Sequence, residues 1–240
     1  MVPAYNEAGA IGDTLLFLRD YLDSHRGPNS WEAIVVDDGS PDNTLAVATH
    51  AAGGDSRIRV MRHETNRGKG CAVKTGVMAA RGLYVGFMDA DLSTDLSAIA
   101  SALSHLGQGA HAAIASRRMP GAHILLPQPW YRRQASHAFR MLTRALTGLK
   151  GIRDSQCGFK FFPAAIAKEL FDQLTIDGFL FDVELLAIAQ RRGYHIVEMP
   201  VTWTNRRQSK LHIWPLAYHV LRDLWRIRRR LARLDKSATR

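Results

Sequence analysis

One stretch stands out in the sequence: Val85-Gly86-Phe87-Met88-Asp89-Ala90-Asp91-Leu92-Ser93, a short apolar run that ends in two carboxylates. The run from Leu83 to Met88 follows a glycine and predicts a buried strand. In open α/β sheets, ligands bind beyond the carboxyl ends of the strands. Residues i and i+2 of an extended chain point the same way, so we expect Asp89 and Asp91 to face one hard cation that clamps two phosphate oxygens. The alternative is a polar loop after a strand.

Strands and helices alternate on both sides of this stretch. Over the first 120 residues the alternation indicates an α/β fold, with a mostly parallel sheet and right-handed crossovers. Apolar runs predict strands over Ala33–Val36, Ile58–Met61 and Ala112–Ala115, and helical spacing predicts helices over Ala10–Leu22, Thr44–His50, Arg67–Ala80 and Ser97–Leu106. Further along, we expect a loop over Gly121–Pro129, helices over Trp130–Thr147, Pro163–Leu174 and Val183–Arg192, and a last strand over Tyr194–Trp203.

Acidic and small polar residues follow four of these strands. Each set alone is typical of a solvated loop, but parallel strands bring all four to one edge of the sheet, where a ligand binds. A carboxylate after an early strand suits hydrogen bonds to a base or a ribose, and the Asp89–Asp91 pair suits a pyrophosphate. Arg67, Lys69 and Arg117 would add positive charge around a diphosphate. The four sets are Glu7, Asp37 with Asp38, Asp89 with Asp91, and Ser116 with Arg117.

Charge is concentrated at the end of the chain. The net charge of the 240 residues is +10, and the segment Arg206–Arg240 holds eleven basic and two acidic residues, a net charge of +9. The rest of the chain is therefore nearly neutral, which argues against a general nucleic-acid binder. With 46% hydrophobic residues, no apolar run of 18 residues and no signal segment, we expect a globular protein that does not span a membrane. Cys71 and Cys157 lack metal-like spacing and suggest free thiols in a reducing compartment.

The C-terminal segment has the pattern of an amphipathic helix. Trp214, Leu221 and Trp225 widen its apolar stripe, and the arginines lie mostly off it. One interpretation is a helix lying in an anionic membrane interface; the other is a helix packed on the main domain with solvated arginines. We expect packing for the first half and membrane contact for the second. The stripe comprises Ile213, Ala217, Val220, Leu224, Ile227, Leu231 and Leu234.

Four motifs together resemble the inverting family 2 glycosyltransferases, and three others resemble their dolichyl-phosphate glucosyltransferase and mannosyltransferase branch. The resemblance extends from Val2 to about Arg230. The family motifs are Pro3-Ala4-Tyr5-Asn6-Glu7, Asp37-Asp38-Gly39-Ser40-Pro41-Asp42, Asn66-Arg67-Gly68-Lys69-Gly70 and Asp89-Ala90-Asp91-Leu92-Ser93. The branch motifs are Gln156-Cys157-Gly158-Phe159-Lys160, Phe181-Asp182-Val183-Glu184 and Ser209-Lys210.

The resemblance implies a GT-A fold, which we assign to residues 1–211, followed by the basic amphipathic helix of residues 212–240. It implies a metal site of Asp89, Asp91 and Ser93 for Mg²⁺ or Mn²⁺, in which Ser93 is a weak ligand that a water would replace. It also implies catalytic roles for Asp182, Arg117 and Lys210. The implied donor-binding residues are Pro3, Tyr5, Glu7, Asp38, Ser40, Lys69, Asp89, Ala90, Arg117, Arg206, Arg207 and Lys210, with the choice between Arg206 and Arg207 left open.

The acceptor determines whether a base is needed. A polyprenyl phosphate is already an anion near neutral pH, so cationic side chains need only hold two anionic partners together. A sugar or lipid hydroxyl needs a general base, for which Asp182 is the candidate. Asp182 would also suit the N-cap of the helix that begins at Val183.

We therefore expect a glycosyltransferase that moves a hexose, glucose from UDP-glucose in preference to mannose from GDP-mannose, onto a polyprenyl phosphate. We place it in the cytoplasm, peripherally bound to the cytoplasmic face of an anionic membrane, and we expect no nucleic-acid partner. The enzymatic alternative is a family 2 enzyme acting on a hydroxyl in envelope polysaccharide or glycolipid synthesis. A catalytically inactive nucleotide-binding scaffold is disfavoured by the intact Asp89–Asp91 pair.

Overall fold

The computed structural model describes residues 1–25, 31–126, 130–204 and 213–238, with the side chains of 130–133, 135, 213–218 and 236–238 left aside. Its strands are β1 Val2–Ala4, β2 Ala33–Asp37, β3 Ile58–Arg62, β4 Tyr84–Met88, β5 Ala112–Ser116, β6 His123–Ile124, β7 Phe159–Pro163, β8 Ile196–Pro200 and β9 Thr202–Trp203. Its helices are α1 Ile11–His25, α2 Thr44–Ala52, α3 Lys69–Ala79, α4 Ala98–Gly107, α5 Trp130–Thr147, α6 Ala164–Asp172, α7 Phe181–Arg191 and α8 Ile213–Ala238.

The first three strands form a parallel sheet in the order β1-β2-β3. Every residue of β2 is buried, which explains its continuous apolar sequence, because a parallel strand is covered by helices on both faces. The backbone N–H of Met88 donates to the carbonyl of Met1 at 3.1 Å, which places β4 beside β1. The predicted parallel arrangement of this half of the molecule is confirmed.

The second sheet, in the order β4-β7-β5-β8, contains one reversed strand. β7 runs antiparallel to both β4 and β5, whereas β5 and β8 are parallel. Met88, the last residue of β4, pairs with Phe159, the first residue of β7. The reversal therefore brings the turn that precedes β7 to the edge where Asp89 leaves β4.

Three expectations about single elements are wrong. The segment predicted as a loop contains β6, which pairs in parallel with β9. The predicted last strand is two strands, β8 and β9, which are separated after Pro200, a residue without a backbone N–H to donate. Helix α7 begins at Phe181, so Asp182 lies in its first turn and does not cap it; the N-cap residue is Leu180.

The C-terminal helix α8 packs on the rest of the fold. Leu224, Ile227 and Leu231 are buried in the core cluster, so these residues of the predicted stripe are not available to a membrane. The Arg230 guanidinium lies 3.5 Å from the fully buried carboxylate of Glu184. A membrane contact by the second half of α8 would have to use its exposed face. Within the described ranges, the helices lack the combination of length and apolarity needed to cross a bilayer.

Candidate active site

An ion pair joins the end of β4 to the start of α3. The Lys69 ammonium lies 2.6 Å from Oδ1 of Asp89. Burial disfavours the charged amine, but the carboxylates of Asp89, Asp182 and Asp91 outweigh it and raise the pKa of Lys69. Lys69 is therefore a cation held at the carboxyl edge of the sheet, and its contact with a diphosphate stays a prediction.

β4 ends at Met88, so Asp91 and Ser93 lie outside the strand, and Asp91 is part of a turn. The rule that residues i and i+2 of a strand face the same way therefore does not apply to Asp91. Its Oδ1 accepts a 3.0 Å hydrogen bond from the Ser93 N–H, and Leu92 has a φ of 51°, in the left-handed region that few side chains adopt. Ser93 is buried, so its hydroxyl is a poor candidate for an open metal position.

The Asp89–Asp91 pair suits a hard divalent cation. Both residues are half-buried, and Mg²⁺ is commonly held by one or two carboxylates together with substrate phosphates. In the part of the chain that the structure describes, no three His, Cys, Asp or Glu side chains cluster as metal ligands. The protein donors at this edge therefore match the Mg²⁺ pattern better than that of a closed protein cage.

Gly158, in the turn before β7, shapes the position of Asp89. The Asp89 N–H donates to the Gly158 carbonyl at 3.0 Å. A Cβ atom on residue 158 would overlap both carboxylate oxygens of Asp89, so any other residue there would force this carboxylate to move. Gly158 belongs to one of the motifs quoted above, but its contact with Asp89 is not evident from the sequence.

Lys160 is quoted above only as the last residue of a motif, and the structure places it in a buried ion pair beside this edge. Its side chain is fully buried, and its ammonium lies 2.7 Å from Oδ1 of Asp182 and donates to the Cys157 carbonyl at 2.7 Å. Burial raises the pKa of Asp182, and the positive charges of Lys160 and Lys69 oppose that rise. A lysine inside the apolar run Phe159–Phe162 was the available signal, since a buried lysine needs a partner.

Asp38 organises the loop before α3. Its Oδ1 accepts hydrogen bonds from His63 Nδ1 at 2.7 Å and from the Arg67 N–H at 3.0 Å, and its Oδ2 accepts from the Gly68 N–H at 2.7 Å. Only 2% of Asp38 is exposed. Its predicted contact with the nucleoside stays a prediction, and the carboxylate that would make it already positions the loop carrying Lys69.

The predicted residues at the ends of β1 and β2 lie close together. The Asn6 N–H donates to Ser40 Oγ at 3.0 Å, and the Glu7 N–H donates to Thr44 Oγ1 at 2.8 Å. Tyr5 is 42% exposed, so its ring is open to a ligand, whereas Pro3 is buried in β1. The carbonyl of Ala90, another predicted donor residue, accepts a 2.6 Å hydrogen bond from Thr14 Oγ1.

Arg117 follows β5 and is held by an acid that the sequence analysis did not single out. Its Nε and Nη2 donate to the two carboxylate oxygens of Asp154 at 2.7 and 2.9 Å. Burial alone would raise the pKa of Asp154, but Arg117 holds it below its usual value. Two of the five guanidinium N–H groups are used in this contact, and those of Nη1 do not take part in it. The other predicted phosphate ligands, Arg206, Arg207 and Lys210, lie outside the described residues.

Comparison with known proteins matches residues 1–171 to the model of Glycosyl transferase family 2. The chain belongs to this family. It is 35% identical over 222 residues to a dolichyl-phosphate beta-glucosyltransferase of Trichomonas vaginalis, covering 89% of this chain and 65% of that protein. It is 32% identical over 239 residues to the dolichyl-phosphate beta-glucosyltransferase of Dictyostelium discoideum, covering 95% of this chain and 72% of that protein. The resemblance inferred from the motifs is confirmed.

Solved structures support the fold. The glucosyl-3-phosphoglycerate synthase of Mycobacterium tuberculosis in complex with UDP has a TM-score of 0.68 at 22% identity, covering 95% of this chain and 78% of that one. The mannosyl-3-phosphoglycerate synthase of Rubrobacter xylanophilus also has a TM-score of 0.68, at 19% identity, covering 98% and 73% of the two chains. The predicted GT-A type of α/β fold is confirmed. The Mycobacterium enzyme has also been solved with Mn²⁺ and UDP.

Gly158→Ala is expected to disable the Asp89 site and leave the fold intact. The added methyl group displaces the Asp89 carboxylate, and a misplacement of about 1 Å costs on the order of 100-fold in rate. Transfer rate and Mn²⁺ affinity, measured by titration, should fall together. The matched control is Gly107→Ala, at the end of α4, where a Cβ meets no atom within 4 Å. Wild-type Mn²⁺ affinity in Gly158→Ala would contradict the assignment.

Lys160→Met is expected to shift the pH dependence of transfer. Asp182 stays buried and loses its nearest cation, so its pKa rises further and the acid limb of the rate profile moves to higher pH. Rates measured across the pH range for wild type, Lys160→Met and Asp182→Asn provide the check. A rate reduced equally at every pH in Lys160→Met would show that Lys160 serves the fold alone.

Proposed function

We propose that this protein transfers glucose from UDP-glucose to a polyprenyl phosphate, such as dolichyl phosphate, with inversion at the sugar carbon. The observation that carries the proposal is the Lys69–Asp89 pair beside Asp91, at the carboxyl edge of a family 2 fold. The names of the relatives supply the donor sugar and the acceptor. The chain spans 65% and 72% of those two proteins, so the activity and substrates are carried over as a proposal.

We infer that Asp89 and Asp91 hold Mg²⁺ or Mn²⁺. When bound, the ion neutralises the charge that builds on the leaving diphosphate. Lys69 neutralises Asp89 when the ion is absent and is close enough to the same edge to contact the diphosphate. The Nη1 group of Arg117 would bind a second phosphate oxygen, while Asp154 keeps the guanidinium in place.

The acceptor phosphate needs no base, since its oxygen is already an anion. That oxygen forms the new bond to the sugar carbon, and the bond from that carbon to the diphosphate breaks with its electron pair on the leaving oxygen. In this mechanism the role of Asp182 is electrostatic. It forms a buried ion pair with Lys160, and its carboxylate helps to raise the pKa of Lys69 and so keeps that side chain protonated.

A second candidate function is transfer to a sugar or lipid hydroxyl. The raised pKa of buried Asp182 favours it, because a general base works best with a pKa closer to the operating pH than that of a free carboxylate. The two candidates share a donor site and differ in whether Asp182 takes a proton.

We also propose that α8 meets an anionic membrane through its exposed face, on the cytoplasmic side. Leu221 and Trp225 are 52% and 54% exposed, and the Arg229 guanidinium lies 4.5 Å from the centre of the Trp225 ring. Arg226 and Arg228 are exposed on the same helix. An aromatic ring among exposed arginines suits peripheral, salt-sensitive attachment.

The function is tested with a panel of radiolabelled donors, short polyprenyl phosphates and Mg²⁺ or Mn²⁺. The transfer rate should be higher with UDP-glucose than with GDP-mannose, and the product should be the inverted anomer. The substitution Asp91→Asn should lower the transfer rate by orders of magnitude. Asp182→Asn separates the candidates: it should abolish transfer to a hydroxyl acceptor and reduce transfer to a phosphate acceptor less. Undiminished transfer in chelator would rule out the metal site.

Membrane attachment is tested by replacing Arg226, Arg228 and Arg229 with Ser. Arg230 is left in place because it faces buried Glu184. Each basic residue near an anionic surface contributes about 1 kcal/mol, so the triple variant should sediment poorly with anionic vesicles. It should also lose activity on vesicle-embedded acceptor and keep activity on a water-soluble short-chain acceptor. Equal loss on both acceptors would place these arginines in the fold or the active site.

A further inference from the structure

A buried histidine beside the donor edge has no part in the mechanism proposed above. His63 follows β3 and is buried. Both nitrogens of its ring are engaged: Nδ1 lies 2.7 Å from Asp38 Oδ1, and Nε2 lies 2.9 Å from Thr75 Oγ1. The backbone N–H of His63 donates to the Asp37 carbonyl at 2.9 Å. His63 therefore connects the end of β2, the end of β3 and the middle of α3.

The hydrogen bonds of this ring have one direction. A carboxylate accepts hydrogen bonds and does not donate them, so the proton lies on Nδ1 and His63 donates to Asp38. In the neutral ring Nε2 is then an acceptor, and the Thr75 hydroxyl donates to it. The hydroxyl thereby fixes the tautomer and orientation of the ring, and the ring fixes the carboxylate. Because both nitrogens are used in this way, His63 acts through Asp38 and not on a substrate.

Asp38 holds the loop that carries Lys69. The backbone N–H groups of Arg67 and Gly68 donate to its carboxylate at 3.0 and 2.7 Å. Gly68 has a φ of 102°, and a Cβ on it would overlap the Asp177 carbonyl, so the loop has little room on its other side. A change in the direction of the Asp38 carboxylate would therefore move Gly68 and, with it, Lys69 at the start of α3.

His63 is the side-chain donor among the three described donors to the Asp38 carboxylate. The backbone of Asp38 is held separately, because its N–H donates to the Ala4 carbonyl at 2.8 Å. A substitution at His63 can therefore release the carboxylate and leave the end of β2 in place. Since Asp38 is buried, water does not readily replace the lost donor.

We propose that His63 is a positioning residue of the donor site, which orients the Asp38 carboxylate and through it the loop that carries Lys69. The proposal rests on the function proposed above, because it takes the donor to be a nucleoside diphosphate sugar. Loss of His63 affects donor binding more than the chemical step, since the nucleoside end of the donor does not react and contributes mostly uniform binding.

The first test is His63→Leu, which removes the donor to Asp38 and keeps an apolar side chain of similar size. The affinity for UDP in Mn²⁺, measured by titration calorimetry, should fall about tenfold, as for one lost hydrogen bond to a charged group. The KM for UDP-glucose should rise in parallel, whereas kcat and the acceptor KM should change by less than about twofold. The matched control is His50→Leu, which removes an exposed imidazole from the last turn of α2 and should leave the UDP affinity unchanged.

Two further variants separate positioning from a role in the fold alone. In His63→Asn the side-chain amide can donate to Asp38 in place of Nδ1, so most of the UDP affinity should return although the Thr75 contact is lost. In an Asp38→Ala background, His63→Leu should cause no further loss of UDP affinity, because the residue through which it acts is absent. A further loss there would show that His63 acts by another route.

Wild-type UDP affinity in His63→Leu would overturn the proposal, and so would equal losses in His63→Leu and His63→Asn that follow their melting temperatures. If His63→Leu does not fold, Thr75→Val takes its place. It should weaken UDP binding about threefold with kcat unchanged, and an unchanged UDP affinity would overturn the proposal. A wild type that binds UDP and transfers no glucose would contradict the proposed function alone, because the role of His63 is then decided by the UDP affinities.

Discussion

The carboxyl edge of the sheet, where Asp89 lies, depends on the ammonium group of Lys160, which is fully buried. Removing a lysine charge from solvent costs several kcal/mol unless the charge is paired and hydrogen-bonded, and Lys160 meets both conditions with Asp182 and the Cys157 carbonyl. Its ammonium also lies 5.4 Å from the centre of the Phe87 ring, on the paired strand. One side chain thereby joins the turn before β7 to the first turn of α7. The turn before β7 also holds Asp89, because the Gly158 carbonyl accepts a hydrogen bond from the Asp89 N–H.

This arrangement exists because β7 runs against its neighbours. A parallel strand in the same place would begin at the opposite edge and carry its turn away from Asp89. The apolar runs of β2 and β3 were sufficient to predict parallel strands, and the run of β4 was sufficient to predict a strand followed by acids. The direction of β7 was not predictable, since apolar periodicity shows that a strand is buried and not which way it runs. Gly158, Lys160 and Asp154 matter through contacts with residues far along the chain, and no local pattern reveals such contacts.

Helix α8 is a second case in which the sequence pattern predicts an element but not what it packs against. Its apolar stripe was correctly predicted as helical, but a stripe suits a protein core and a membrane interface equally. The core position of Leu224, Ile227 and Leu231 determines where most of the described stripe packs. Buried Glu184 adds a specific reason: it accepts hydrogen bonds from the Thr175 and Ile176 N–H groups and still faces the Arg230 guanidinium. The sequence suggests that Arg230 belongs to a basic surface, but its contact with buried Glu184 shows that it is part of the packing of α8.

The charges at the active edge explain why a divalent cation suits the site. Lys69 is paired with Asp89, Lys160 with Asp182, and Arg117 with Asp154, so each cation described here already has its own carboxylate. Asp91 adds a further negative charge whose described contact is a backbone N–H. These three pairs and Asp91 together carry a net negative charge, which does not by itself attract a nucleoside diphosphate. A divalent ion held by Asp89 and Asp91 would reverse that balance and would leave Lys69 free to contact the diphosphate, so metal and donor would bind in support of one another.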